Sequence, residues 1–194
     1  MDDNNVTTAG GDVKRFIKAQ DGACGATYDD ALQEIRQGLK TSHWIWYIFP
    51  QIYGLGHSAM SKYFAIADRA EAERYLQDAT LNARLNEICQ ALLQVEGRTA
   101  LQILGKVDAA KVRSSMTLFD AVCPGAVFAS VLDKYCAGER CAFTLNALSV
   151  PVAEPQPAAE PAPAQPDVTE HNVTPQPPKS LGERLWNRVT GWFK

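Results

Sequence analysis

The residues best suited to chemistry in this chain fall in two short segments. The first, Ser42 to Ser58, reads SHWIWYIFPQIYGLGHS and packs two tryptophans, two tyrosines, a phenylalanine and two histidines into seventeen residues. His43 carries a side chain that titrates near neutrality, which makes it the candidate for proton transfer. Its alternative reading is a core histidine bonded to a backbone carbonyl. Trp44 and Trp46 offer flat faces for a stacked ring, and Gln51 adds a hydrogen-bonding amide at the edge of the apolar run. The second segment is Arg113-Ser114-Ser115, which interrupts an otherwise apolar helical stripe. An arginine fork beside two hydroxyls suits a phosphate or carboxylate. The plainer alternative is an arginine paired with an acid at the edge of the core and serines that permit close helix packing.

If the two segments converge, the site would suit a small anionic ligand derived from a nucleotide, of the NAD or ADP-ribose kind, stacked on tryptophan with its phosphate at Arg113. The matching reaction class is hydrolysis of an ADP-ribosyl or N-glycosidic bond, where the protein mainly positions the ligand and stabilises developing charge. No metal is expected, because no second histidine or carboxylate lies at ligand spacing from His43 and the five cysteines, at 24, 89, 123, 136 and 141, do not cluster. No cofactor is expected either: there is no Walker loop or dinucleotide fingerprint, and Gly54-Leu55-Gly56 is too short to cradle a pyrophosphate. The competing reading, from a different class, is a non-catalytic interaction module.

These residues must be positioned by helices. The run from Trp44 to Phe49 is apolar at every residue, so neither a helical nor a strand period leaves it a wet face. Phe16 and Ile17 mark a short first helix that stops at Asp21-Gly22. Thr27 can cap a second from Tyr28 to Lys40, with Ala31, Leu32, Ile35 and Leu39 on its buried stripe. Ser58 can cap a helix through Phe64, and Asp68 with Glu71 resembles a capping box. Leu81, Leu85, Ile88, Leu92 and Val95 define an amphipathic helix from Thr80 to Val95, ended by Gly97. Thr99 and Gln102 could box a short helix ending near Gly105, and Asp108 could cap another through Val122. Val127 to Tyr135 and Phe143 to Leu148 complete the set. There is no internal repeat and no alternating strand, so the expected fold is mainly α, a single compact multi-helical domain over residues 12–149.

Composition sets the boundaries. The chain of 194 residues is 46% hydrophobic and 21% charged, enough for one real core. Nine of its eleven prolines fall between Pro151 and Pro178, with four acids and no lysine or arginine, which predicts a disordered linker over residues 150–178. Residues 1–11 are expected to be a flexible N-terminus. Residues 179–194 read as an amphipathic helix, with Leu185, Trp186, Val189, Trp192 and Phe193 on one side and a local charge of +3, suited to an anionic membrane surface or a partner's groove. The overall charge of −3 with no basic face does not imply nucleic acid. The absence of a signal pattern and the odd cysteine count predict reduced core thiols and a cytoplasmic location, with the tail as a peripheral contact at the inner membrane surface.

Phe16 to Gln20, the SHWIWYIFPQ run with its GLG turn, and KVRSSMTLF from Lys111 to Phe119 together resemble the domain of unknown function 1810 (DUF1810) family. The resemblance spans about residues 13 to 148 and implies a small, mainly helical, largely bacterial domain without an established activity. Where the family usually has a basic residue this chain has His57.

Overall fold

The computed structural model describes residues 11–149; the linker and tail expected beyond them lie outside the described residues. The elements are helical: α1 (Lys14–Lys18) running into a π turn (Ala19–Ala23), α2 (Tyr28–Arg36), α3 (Ile45–Ile48), α4 (Ala59–Tyr63), α5 (Arg69–Gln77), α6 (Ala79–Gln94), α7 (Ala100–Val122), α8 (Val127–Cys136) and α9 (Ala142–Ser149). The β structure among the described residues is an isolated parallel bridge between Ile52 and Ile66. No helix among them is long and apolar enough to cross a membrane.

Local chemistry explains most of the boundaries. Thr27 and Asp30 form a reciprocal capping box at the start of α2, and Thr99 and Gln102 form another at α7. Asp78 accepts from the Thr80 and Leu81 N–H groups and starts α6. The helix expected to reach Lys40 stops at Arg36 instead. Gly38 takes φ 71°, and the Gly38 and Leu39 N–H groups bond back to the Ile35 and Glu34 carbonyls, closing the helix in a Schellman turn. Leu39 therefore leaves the buried stripe and is 49% exposed. The Asp68 and Glu71 box is only half made. Asp68 caps the Glu71 N–H, but the Glu71 carboxylate turns inward to the Ala67 N–H and to Arg15, whose Nη1 lies 2.6 Å from Oε1. An ion pair with Arg15 in the interior outcompetes the weaker bond to the cap's own backbone.

Helices α6 and α7 form the centre, with α2, α5 and α8 against α6, and α5, α8 and α9 against α7. Through them runs a continuous chain of aromatic contacts. Tyr47 meets Phe64, Phe64 meets Phe16, Phe16 meets Tyr75, Tyr75 meets Phe119 and Phe119 meets Phe128, all with ring centroids between 5.1 and 5.7 Å apart. These six rings are buried, and each such pair contributes about 0.5–1.5 kcal/mol beyond the area it buries. The series anchors the aromatic segment, through Tyr47, to the helices on the far side of the core. The expectation of core thiols holds only for Cys89: Cys24 and Cys123 are exposed and Cys136 and Cys141 half-buried, because the last four sit at or beyond helix ends and not on an apolar stripe.

Candidate functional site

The segment from Thr41 to Trp44 leaves the Gly38 turn and folds back over α2, where Glu34 receives it. The Glu34 carboxylate accepts five hydrogen bonds: from the Thr41 N–H (2.8 Å) and hydroxyl (2.9 Å), the Ser42 N–H (3.2 Å) and hydroxyl (2.5 Å), and the Trp44 indole N–H (2.8 Å). Burial alone would raise its pKa, but the donors from Ser42, Thr41 and Trp44 outweigh burial and hold it at about 2. Trp44 is fully buried, and a buried indole needs an acceptor for its N–H. That requirement was the available signal for Glu34, the nearest acid one helical turn before the Gly38 stop.

Beside this network Asp108 bridges two lysines. Its Oδ2 lies 2.7 Å from Lys40 Nζ and its Oδ1 2.9 Å from Lys111 Nζ. Burial works to raise the Asp108 pKa, yet Lys111 and Lys40 together hold it below the usual carboxylate range. Lys40 Nζ also donates to the Ser42 carbonyl at 2.6 Å and stands 4.9 Å over the Trp44 ring, while Lys111 Nζ stands 4.8 Å over Trp46. Asp108 is thus not the cap that its position suggests. The chain is helical on both sides of it, α7 being broken only at Gly105 (φ 75°, ψ 165°), which leaves the carboxylate free for the lysines. The Lys40 N–H reaches the Ile103 carbonyl at 2.7 Å, which fixes the two segments against each other. Lys40, Asp108 and Lys111 are not among the site residues expected from sequence, although Asp108 and Lys111 stand at the i, i+3 spacing of a helical ion pair.

The residues singled out from sequence are distributed as follows. His43 is exposed, next to the buried Trp44, and is not among the donors to Glu34; the alternative of a core histidine is excluded by its exposure. Trp46 is half-buried beneath Lys111. Gln51 is half-buried, and its carbonyl accepts from the Ile66 N–H at 2.8 Å beside the bridge. Ser114 is buried and shares a hydrogen bond of 2.9 Å with Thr144 of α9. Ser115 is fully buried with no partner for its hydroxyl among the described residues. Arg113 points elsewhere, its Nη1 lying 3.4 Å from Glu139. No contact joins Arg113, Ser114 or Ser115 to the aromatic segment among the described residues; the neighbouring Lys111 is the one that reaches Trp46, and two residues along a helix turn a side chain by about 200°, which sends Arg113 to the opposite face.

Formal charges near the aromatic segment balance, with Lys40 and Lys111 against Asp108 and Glu34. Two concavities lie away from the aromatic segment. One of about 450 Å³ has Leu76, Gln77, Asn86, Val122 and Phe128 in its wall, and one of about 260 Å³ contains Arg113. Neither includes His43, Trp46 or Lys111. Among the described residues no three of His, Cys, Asp or Glu gather where they could hold a metal ion.

The fold is that of a small, mainly helical domain built around a tryptophan segment clamped by a carboxylate. The chain belongs to the family described as protein of unknown function (DUF1810), whose model matches residues 10–148. It is similar to the crystal structure of the conserved hypothetical protein Rv1873 from Mycobacterium tuberculosis, at 38% identity and a TM-score of 0.68, covering 72% of this chain and 98% of that one. No curated protein matches the chain.

Proposed function

We propose that this domain binds a small, flat, anionic ligand of the nucleotide-derived class at the Trp46 and Lys111 pair, with the exposed His43 three residues before Trp46 in the chain. The observation that carries the reading is the contact of Lys111 with Trp46, which sets an ammonium beside an aromatic face. An ammonium with three donors gives one to Asp108, so Lys111 has donors left for a phosphate or carboxylate. The half-buried Trp46 supplies a rigid ring beside it, and the exposed His43 lies three residues before it in the chain. Trp44 and Gln51 support the segment from within. A hydrolytic step at this place would fall to His43, because Glu34 and Asp108 are held ionised by their donors and are poor proton acceptors.

The test is a thermal-shift and calorimetric screen of ADP-ribose, NAD and nucleoside phosphates against the full chain. A stabilising compound whose effect disappears in Lys111→Ala and in Trp46→Ala, and persists in Ser114→Ala, supports the reading. If no such compound shifts the melting point, the site is not a nucleotide site.

One observation favours the second reading, a non-catalytic interaction module. Leu39, Leu101 and Val107 are 49%, 60% and 68% exposed on the segments that Lys40 and Asp108 join, and large exposed apolar side chains suit a protein partner. In that reading residues 179–194 would set location through Leu185, Trp186, Val189, Trp192 and Phe193 at a membrane surface or a partner's groove.

A further inference from the structure

Arg113 belongs to neither the Glu34 nor the Asp108 network, and its surroundings form a site of their own. The break at Gly105 bends α7 into an elbow, so that Ala100 from its first turn and Ala109 and Ala110 from its main part line one concavity of about 260 Å³. Tyr135 and Cys136 at the end of α8, with Glu139, complete the wall around Arg113. The three alanines give it an apolar floor, and Arg113 is the one cation among its lining residues. The volume falls just below the range of about 300–1,000 Å³ typical of clefts for drug-sized ligands, which limits an occupant to a compact molecule.

The guanidinium is available. Arg113 is 40% exposed, and the contact the structure gives it is Nη1 to Glu139 Oε2 at 3.4 Å, long for a charge-assisted bond. Glu139 itself is 73% exposed, so solvent screens the pair. Its position is nonetheless built. Ala137 and Gly138 both take left-handed φ values, 51° and 75°, Ala137 being the one non-glycine residue to do so among the described residues. The Gly138 N–H bonds to the Leu132 carbonyl and the Glu139 N–H to the Cys136 carbonyl, which hold the turn in that unfavourable conformation. The turn sets a carboxylate against the fork of Arg113, where an external carboxylate would dock.

We infer that Arg113 and the alanine-floored elbow of α7 form a binding site for a small monocarboxylate with a compact apolar body, and that Glu139 is its resident competitor. The site is separate from the Trp46 and Lys111 surface, so each stands or falls alone. The planar fork takes the two carboxylate oxygens, and the apolar body covers the alanines.

The test uses the full chain with benzoate as probe, followed by calorimetry and by amide chemical shifts of Ala109 and Ala110; benzamide and inorganic phosphate serve as comparisons. Benzoate should bind, and the exposed Glu139→Gln variant should bind it roughly two- to fivefold more tightly, the gain expected on removing an exposed ion-pair competitor. Arg113→Ala should lose the response and Arg113→Lys should weaken it, while Lys111→Ala should leave it unchanged. Absence of benzoate binding to both the wild type and Glu139→Gln overturns the site. Equal binding of benzamide removes the role of charge, equal binding of phosphate removes the monocarboxylate class, and an unchanged affinity in Glu139→Gln removes the competitor; any of these sinks the inference.

Discussion

Lys111 and Trp46 face each other with the ammonium 4.8 Å from the ring centroid, and through this contact α7 is keyed to the aromatic segment. The same ammonium is held at 2.9 Å by Asp108, whose other oxygen holds Lys40, which in turn stands over Trp44. Two tryptophans and two lysines are thus coupled through one carboxylate. The aromatic segment is held by this bridge and by Glu34, and His43, next to the buried Trp44, is exposed.

Removing the bridge should cost more than removing either cation. Asp108 and Lys40 have side chains only 16% and 9% exposed, so Asp108→Ala leaves two partly buried ammoniums without a counter-charge and is expected to destabilise by about 2–4 kcal/mol. Lys111→Ala leaves Asp108 paired with Lys40 and loses one ion pair and one cation–π contact, for about 1 kcal/mol. Urea unfolding of the two variants checks the order; equal losses would show that the bridge does not act as a unit.

Glu34 gives the domain an acid-labile link. Its pKa of about 2 in the folded chain lies below its ordinary value of 4.5, so its contribution is fully present above about pH 4.5 and is lost as pH falls towards 2. Asp108 is shifted in the same direction. Glu34→Gln should destabilise at pH 7 by about 1–3 kcal/mol, since it weakens the charge-assisted bonds from the buried Trp44 indole and from Ser42 and Thr41. The gap between variant and wild type should narrow steadily between pH 4.5 and pH 2.5 in urea titrations. A gap that stays constant over that range would mean the carboxylate charge is not what holds Thr41, Ser42 and Trp44.

The sequence made the helices legible because each has a local cause. The Thr27 and Thr99 boxes, the Ser58 cap and the stripe from Leu81 to Leu92 are written within a few residues of where they act. One difference is local: Leu39 keeps the helical spacing, but the Schellman turn at Gly38 ends α2 before it. The other lies with tertiary partners: Asp108 has a capping residue's type, but Lys40 from another segment joins Lys111 in claiming it. The aromatic segment was recognisable by composition, yet its anchors are Glu34 and Lys111, at sequence distances of 10 and 65 residues from Trp44 and Trp46, and no spacing rule connects them. Arg113 carried the stronger anion signal by type, and only helix geometry separates it from Lys111.

The tail offers a test that does not depend on the domain. A peptide of residues 179–194 is too short for a stable isolated helix and is expected to be mostly unstructured in buffer, then to become helical on vesicles containing anionic lipid. Trp186 and Trp192 report this through a blue shift of fluorescence, which added salt should weaken because the charge of +3 contributes to surface attraction. Replacing Trp192 and Phe193 by serine should abolish the shift. A peptide that ignores anionic vesicles, or binds neutral ones equally, would remove the membrane proposal in favour of a protein partner.

Ser115 is the clearest place to gain stability. Its side chain is fully buried on α7 and its hydroxyl has no partner among the described residues, whereas the neighbouring Ser114 is paired with Thr144. An unsatisfied buried hydroxyl carries its desolvation penalty without return, and serine is a poorer helix former than alanine. Ser115→Ala is therefore expected to raise stability by about 1 kcal/mol, while Ser114→Ala, which strands the Thr144 hydroxyl, lowers it by about 1–2 kcal/mol. Chemical denaturation of both variants measures the difference in sign. A loss of stability in Ser115→Ala would reveal a buried water or backbone partner for that hydroxyl and would place it among the satisfied groups of the core.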